Sequence, residues 1–198
     1  MKPQDRREAI IGAALAVMLR KGIAATTVRD VAQEMGTSSG LIHHYFESMD
    51  DLLASSFERA ATQDLELTST AMGSGASPLN RLRIFFATYA RAEQDWAFQL
   101  WLDAWAEAAR RPAVQKTSQR LNVAWQELLV DVIQDGVVEG SMTCADPSGA
   151  AWRILSLLDG LSLQTVAHRV DIDRVAVIDW SVAMAEAELG LPAGSLRP

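Results

Sequence analysis

Two short amphipathic patterns separated by a glycine, within residues 26–53, restrict the fold of this chain more than any other feature. The first begins after Thr27, and its apolar residues recur with helical spacing at Val28, Val31, Ala32 and Met35. Asp30 follows Thr27 by three residues, so the two can cap each other's backbone. Gly36 can end this helix in the left-handed conformation, and Ser38 is a candidate cap for the next. Two short helices joined by such a turn indicate a helix-turn-helix, which places its second helix in the DNA major groove.

The second helix of this motif, residues 38–45, has a packing side and a polar side. Ile42 and Tyr45, followed by Phe46, point inward at helical spacing. The opposite side carries small and polar groups that can approach base edges or phosphates, and a leucine that can touch a thymine methyl. These candidate DNA-reading residues are Ser39, Gly40, Leu41, His43 and His44.

The remaining sequence predicts an all-α protein of about nine helices, because no alternating strand pattern occurs and Ser, Asp and Pro mark successive helix starts. We predict a three-helix DNA-binding domain over 1–50, with its motif at about 27–46, and a ligand-binding and dimerisation domain over 51–198. A short disordered tail ends the chain. The predicted helices cover about 5–21, 27–35, 38–45, 48–71, 78–94, 96–110, 112–136, 147–169 and 173–189.

The net charge of −7 lies outside the motif. Residues 1–50 carry six of the 18 basic and six of the 25 acidic side chains, which leaves 12 and 19 for the rest of the chain. Residues 1–50, which we call the head, are therefore neutral overall. A neutral head predicts weak nonspecific DNA binding, because that affinity scales with the number of phosphates neutralised. No apolar run reaches the roughly 20 residues needed to span a bilayer. Together with a lone Cys144, this favours a cytoplasmic location.

The order of residues across the motif resembles the DNA-binding domain of the TetR family of bacterial repressors. The resemblance rests on Gly36-Thr-Ser-x-Gly40-x-Ile42-His-x-Tyr45-Phe46, then Ser48 and Leu52. It implies a homodimer that binds double-stranded DNA at a palindromic operator and is released by a small-molecule effector. By the same resemblance, Ser39, Gly40, Leu41 and His44 read bases, and the backbone contacts are Thr27, Arg29, Ser38, His43 and Tyr45.

Two positions depart from the pattern of that family. Many members have a lysine where this chain has Met49, and an aliphatic residue where it has Thr37. Without the lysine we expect weaker phosphate binding, or a transfer of that contact to backbone amides at the start of the fourth helix.

The C-terminal half resembles the BetI-type branch of the same family, whose namesake controls choline and glycine-betaine metabolism. The resemblance rests on Trp101-Leu-Asp-Ala-Trp105, on Trp125 and on Leu158-Asp-Gly-Leu. Aromatic rings around a carboxylate can bind a quaternary ammonium or polyamine cation. The candidate ligand-binding set is Phe98, Trp101, Trp105, Trp125, Trp152 and Asp159. Alternatively these tryptophans belong to the hydrophobic core and bind no ligand. A cation is therefore one candidate for the effector among others.

Other acidic residues of this half are assigned no ligand role. Asp103 and Glu107, one helical turn apart, fall away from Trp101 and are predicted to form a solvated stripe. We expect the effector to act on the DNA-binding domain through a tilt of the long helix 48–71.

The last two predicted helices are apolar on two faces, whereas a surface helix of a monomer needs one apolar stripe. Either both are central buried helices, or two copies pair them into a four-helix dimer interface. We favour the dimer, with an interface at Ile154, Leu158, Leu161, Val177, Trp180 and Met184.

No sequence motif points to an enzyme. The chain shows no glycine-rich phosphate loop and no nucleophile elbow, and three histidines with one cysteine leave few catalytic groups. Adjacent His43 and His44 point about 100° apart on a helix, which disfavours shared metal ligation. We expect no cofactor and no metal. The predicted function is a ligand-responsive transcriptional repressor; a DNA-binding activator or a constitutive regulator without a ligand is the alternative.

Overall fold

The computed structural model of the chain describes residues 2–90, 95–168 and 172–197. This part is all-α, as predicted, with nine α-helices and no strand. The predicted ends of two helices, at residues 94 and 169, lie outside the described residues. The helices are α1 Pro3–Lys21, α2 Val28–Glu34, α3 Ser39–Tyr45, α4 Met49–Gly73, α5 Pro78–Tyr89, α6 Asp95–Ala108, α7 Pro112–Val138, α8 Pro147–Leu163 and α9 Arg174–Glu188.

Local caps set the boundaries of the first helices. The Thr27 hydroxyl accepts a hydrogen bond from the Asp30 amide at 3.3 Å, and the Thr27 amide donates to the Asp30 carboxylate at 3.1 Å. Gly36 ends α2 with φ of +61°, a conformation that costs a glycine little. The prediction that Ser38 caps α3 is wrong, since its side chain accepts no capping bond. A short helix held by its buried face does not depend on that bond.

The three N-terminal helices and the start of α4 enclose a small apolar core. Ile42 and Phe46 are buried, as the helical spacing predicts, while Tyr45 is half-buried against this core. Each large side chain removed from water in this way stabilises the fold by about 1.5–3 kcal/mol. The buried members are Ile10, Ile11, Ala14, Val31, Ala32, Ile42, Phe46 and Leu52.

The chain divides into two compact units, described separately below. The first unit joins residues 1–64 to residues 99–121, and the second joins residues 65–98 to residues 122–198. The chain therefore crosses from one unit to the other inside α4, α6 and α7. Most of α6 shares a unit with the three N-terminal helices.

In the second unit, α8 packs against α9, and α5 also touches α9. A five-residue π-helical segment, Gln164–His168, continues α8. None of the described helices is long and apolar enough to cross a membrane. The core of this unit is formed by Leu82, Phe85, Phe86, Leu129, Val132, Ile133, Ile154, Leu158, Val177, Ile178, Val182 and Leu189.

The segment after α9 is ordered, so the prediction of a disordered tail is wrong for residues 190–197. Leu196 is fully buried. The amides of Gly194 and Leu196 donate to the buried Glu186 carboxylate at 2.9 and 2.7 Å. Arg83 Nε donates to the Ser195 carbonyl at 2.7 Å. One leucine and one buried acid hold this segment, a combination without local periodicity.

Candidate nucleic-acid interface and effector core

The polar side of α3 is open to solvent. Gly40, His43 and His44 are exposed, whereas Ser39 and Leu41 are half-buried at its edges. A methyl group added at Gly40 would meet only the Ser38 hydroxyl, at 3.8 Å. The His44 ring stands edge-on to Tyr45, with ring centroids 5.2 Å apart. This side of α3 can therefore approach another surface closely and offer hydrogen-bonding groups to it.

The donors beside α3 are not equally available. The Ser38 hydroxyl makes no capping bond and can donate to an external acceptor. The Thr27 hydroxyl already donates its proton to Asp30, at 2.7 Å, so the capping box uses both its proton and its amide. The exposed Arg29 makes no ion pair with the described residues.

Two other cations of this region are neutralised by α2. Arg20 pairs with Glu34 and Lys21 with Asp30, both at 2.5 Å. Hydrogen bonds from Lys21, then from Thr27, lower the pKa of Asp30 to about 2. Because these pairs tie α2 to the end of α1, they fix the helix that precedes α3.

One aromatic cluster lies in the first unit. The Trp101 ring stands edge-on to Phe57 of α4, with centroids 4.9 Å apart, and lies 5.6 Å from Trp105. Trp101 is buried and Trp105 is half-buried. The structure thus brings two predicted ligand-binding tryptophans together and adds Phe57, which we did not predict because its partners lie more than 40 residues away.

A second aromatic cluster, in the second unit, centres on Tyr89. Its ring lies 4.9 Å from Phe85, 5.7 Å from Phe98 and 6.1 Å from Trp125. Phe98 is half-buried and Trp125 is buried. Tyr89 therefore joins two predicted ligand-binding residues, although nothing in its local sequence marks it.

The last two members of the predicted ligand-binding set differ in burial. Trp152 is 41% exposed on α8. Asp159, two turns further on, is partly buried without a hydrogen-bond or ion-pair partner among the described residues, and burial raises its pKa to about 7. Asp64, in the first unit, is similar: burial raises its pKa to about 6. Both carboxyls would gain stability from a cation.

The sequence of this chain matches two family profiles, one in each half. Residues 10–55 match "Bacterial regulatory proteins, tetR family", and residues 78–190 match "BetI-type transcriptional repressor, C-terminal". The second match alone spans more than half of the chain.

The chain belongs to the TetR family of transcriptional regulators, in its BetI-type branch.

Individual proteins agree with this assignment. The regulator BetI of Rhizobium meliloti is 31% identical over 183 residues, which cover 91% of this chain and 86% of BetI. A putative transcriptional regulator of Pseudomonas aeruginosa PAO1 superposes with a TM-score of 0.81 and 25% identity, covering 94% of this chain and 91% of its own. A putative regulator of Saccharomonospora viridis, solved in complex with choline, superposes with a TM-score of 0.84 over 94% and 98% of the chains, at 21% identity. The families matched are DNA-binding transcriptional regulators, not enzymes.

The C-terminal helix pair of this TetR-family chain distributes its apolar residues differently from our prediction. Ile154, Leu158 and Val177 are buried inside the single subunit, because they lie in the core that α8 and α9 share. Leu161 and Met184 are half-buried, and Trp180 is 52% exposed. Three of the six predicted interface residues are therefore unavailable to a second copy in this arrangement.

The acidic stripe of α6 is not solvated, so that prediction is wrong for this regulator. Glu107 is 8% exposed and accepts a hydrogen bond from Arg111 Nε at 2.7 Å. Asp103 is half-buried and accepts one from the Ile23 amide at 3.4 Å. The turn after α1 contacts Asp103, and Arg111 binds Glu107, and helix periodicity cannot show either contact.

Proposed function

We propose that this TetR-family chain is a ligand-responsive repressor that binds a palindromic operator as a homodimer and leaves it when a small molecule binds. The exposed polar side of α3, beside the unpaired donor groups of Ser38 and Arg29, is the observation that carries the proposal. Residues 1–50 would bind DNA, and residues 51–198 would bind the effector and dimerise. The protein would act in the cytoplasm.

The structure supports a division of labour at the DNA surface. Gly40 allows close approach to the groove, while Ser39, Leu41 and His44 lie beside it for contacts with base edges. Ser38 has a hydroxyl proton to donate to a phosphate, and Arg29 has an exposed guanidinium. The proton of Thr27 is already used, so its contribution to phosphate binding would be small beside theirs.

We propose that the dimer forms through the outer face of α8 and α9. Each helix presents one exposed tryptophan followed at helical spacing by small exposed residues. A side chain at Gly160 would meet no atom within 4 Å, so that side of α8 is open. Two such pairs would form a four-helix interface and set the two α3 helices for grooves about 34 Å apart. The face comprises Trp152, Ser156, Gly160, Trp180, Ala183 and Ala187.

We propose a cation as the effector. The partly buried carboxyl of Asp159, which has no partner among the described residues, favours one, since a positive ligand would remove the cost of its charge. The rings of Phe98, Trp125 and Tyr89 lie in the same unit, and Trp101 and Trp105 form a second aromatic surface in the other. A protein with the same fold binds choline.

Titration of small molecules against intrinsic tryptophan fluorescence and heat of binding tests the effector proposal. Choline, betaine aldehyde, a polyamine and a neutral aromatic compound form the panel. We expect saturable binding of a cation, at least tenfold weaker in Asp159→Asn. Asp131→Asn, an exposed acid of α7, is the matched control. A response to the neutral compound alone would retire the cationic effector and leave the repressor.

Selection of duplexes from a random library by the wild-type protein, followed by anisotropy titration, tests operator binding. We expect a palindromic consensus, and relaxed specificity at one position per half-site in His44→Ala or Ser39→Ala. A reporter gene carrying that sequence then gives the sign of regulation. Expression that falls with the protein, and no release by any compound, would favour a constitutive repressor; expression that rises would favour an activator.

A further inference from the structure

The contacts between α6 and the N-terminal helices, all within the first unit, give the acidic stripe of α6 a role beyond packing. The stripe consists of Asp103 and Glu107, with Arg111 in the turn that follows α6. Asp103 and Glu107 lie one turn apart on α6, and Arg111 follows Glu107 by four residues.

Asp103, at one end of the stripe, contacts the turn between α1 and α2. Gly22 ends α1 with φ of +82°, and the next amide, that of Ile23, donates to Asp103 Oδ2. A side chain at Gly22 would begin 3.1 Å from the same oxygen. Gln99 holds the other Asp103 oxygen at 3.2 Å. The carboxylate is therefore held by its own helix and accepts a hydrogen bond from the Ile23 amide in the turn after α1.

Arg111, at the other end of the stripe, contacts the start of α4. Arg111 Nη1 donates to Asp50 Oδ1 at 2.5 Å, and Arg111 Nε donates to the buried Glu107 at 2.7 Å. The bonds to Glu107, and then to Asp50, raise the pKa of Arg111. Asp50 lies in the first turn of α4, directly after the recognition helix and the buried Phe46. A guanidinium can satisfy two carboxylates in this way because its donors form a rigid fork.

Building on the proposed function, we propose that Arg111 and Asp103 are positioning residues for operator binding, through which α6 holds the DNA-binding head at both the α1–α2 turn and the start of α4. The same helix carries Trp101, which packs on Phe57 of α4. A displacement of α6 therefore moves two separate points of the head together. A tilt of α4 alone would move only the second.

Operator affinity of charge-removing variants tests this inference on the full-length protein. The probe is the duplex that the wild type selects from a random library. We expect about tenfold weaker binding in Arg111→Gln, within the usual 5–150-fold range of coupled sites. Arg111→Lys keeps one charge but not the fork and should fall between. Arg110→Gln is the matched control, since Arg110 is exposed and its guanidinium comes no nearer than 3.8 Å to the Glu107 carboxylate. This variant should bind the operator within twofold of wild type.

The double variant Arg111→Gln/Asp50→Asn separates positioning from simple charge. Arg111→Gln leaves Asp50 unpaired, and its bare charge alone could repel DNA. Removing both charges restores wild-type affinity if repulsion is the cause, and this result would overturn the inference. Affinity that stays at least fivefold weaker supports positioning. The salt dependence of binding should keep its wild-type slope, because loss of a direct phosphate contact lowers that slope by about one.

Two further results would overturn the inference. Unchanged affinity in both Arg111→Gln and Asp103→Ala, with melting temperatures well above the assay temperature, would leave operator binding intact and remove the positioning role. No enriched duplex for the wild type would overturn the proposed function together with this inference. Hydrogen exchange gives an independent check of the bond between the Ile23 amide and Asp103. That amide should exchange at least tenfold faster in Asp103→Ala, and an unchanged rate contradicts the bond.

Discussion

The helix α3 and the C-terminal pair α8 and α9 are similar in the sequence but differ in the fold. Both regions carry apolar residues at helical spacing and few charges. On α3 the spacing identified the buried side, because Ile42 and Phe46 are buried while Gly40 and His44 are exposed. On α8 and α9 it did not, because buried and exposed apolar residues alternate around each helix.

The difference lies in the number of neighbours that each helix has. The helix α3 rests on the head with one side, so a single stripe divides buried from exposed residues. The helix α9 touches both α8 and α5, and a tryptophan remains exposed outside those contacts. Periodicity finds apolar faces, and only the arrangement of neighbours decides which of them is left for a partner. Substitutions at the exposed tryptophan of α9, at Asp159 of α8 and on α3 test this contrast.

Trp180→Glu should weaken dimerisation by about a thousandfold or more, since an exposed aromatic at the centre of an interface carries much of its binding energy, on the order of 4 kcal/mol. Analytical ultracentrifugation over a range of protein concentrations measures this effect. Val138→Glu is the control, because Val138 is 88% exposed at the end of α7 and lies outside the proposed face. A Trp180→Glu protein that remains dimeric would show that the dimer forms through another surface.

Asp159→Asn should stabilise the protein more at pH 8 than at pH 5. The effect of the substitution on the free energy of unfolding should differ by about 2 kcal/mol between the two pH values. Burial raises the pKa of Asp159 to about 7 in the folded chain, whereas the unfolded pKa is near 4. The folded state therefore holds a proton that the unfolded state has released, and wild-type stability falls as the pH rises between these values. Urea unfolding of both proteins at the two pH values measures the difference.

Asp131→Asn is the matched control: it replaces an exposed acid of α7 and keeps Asp159, so its stability should follow that of the wild type at both pH values. Equal pH dependence in wild type and Asp159→Asn would show that Asp159 titrates as an ordinary exposed carboxyl. Its role in effector binding would then lose its physical basis.

Gly40→Ala should raise stability and lower DNA affinity at the same time. An alanine stabilises a helix by about 1 kcal/mol relative to glycine, and the added methyl meets nothing closer than 3.8 Å. The same methyl would stand between α3 and the groove, so we expect about tenfold weaker operator binding. Thermal unfolding and anisotropy measure the two effects. Unchanged affinity would move the DNA-reading surface away from Gly40.

Acidification should strengthen operator binding by about threefold between pH 8 and pH 6, because protonated His43 and His44 add positive charge beside the phosphates. Both side chains are exposed on α3. The variant His43→Gln/His44→Gln should lose this dependence. Equal wild-type affinity at the two pH values would remove the histidines from the phosphate contacts.

Short-range sequence signals account for the local features of this protein. The Thr27–Asp30 cap, the left-handed Gly36 and the buried side of α3 follow from interactions within about four residues, which one stretch of chain contains completely. The order of helices and the TetR-type motif follow from the same short-range signals. For this reason the buried and exposed sides of α3 could be predicted from the sequence, and the DNA contacts of its exposed residues stay a prediction.

The roles that depend on distant residues follow from long-range packing, which no short stretch of sequence contains. Asp103 and Glu107 have the pattern of a solvated stripe, yet they contact Ile23 and Arg111, and Arg111 in turn binds Asp50. Phe57 packs on Trp101 from 44 residues away, and Glu186 holds the tail that was predicted to be disordered. A charged side chain carries the same sequence signal in water and in an ion pair, and long-range packing alone supplies its partner.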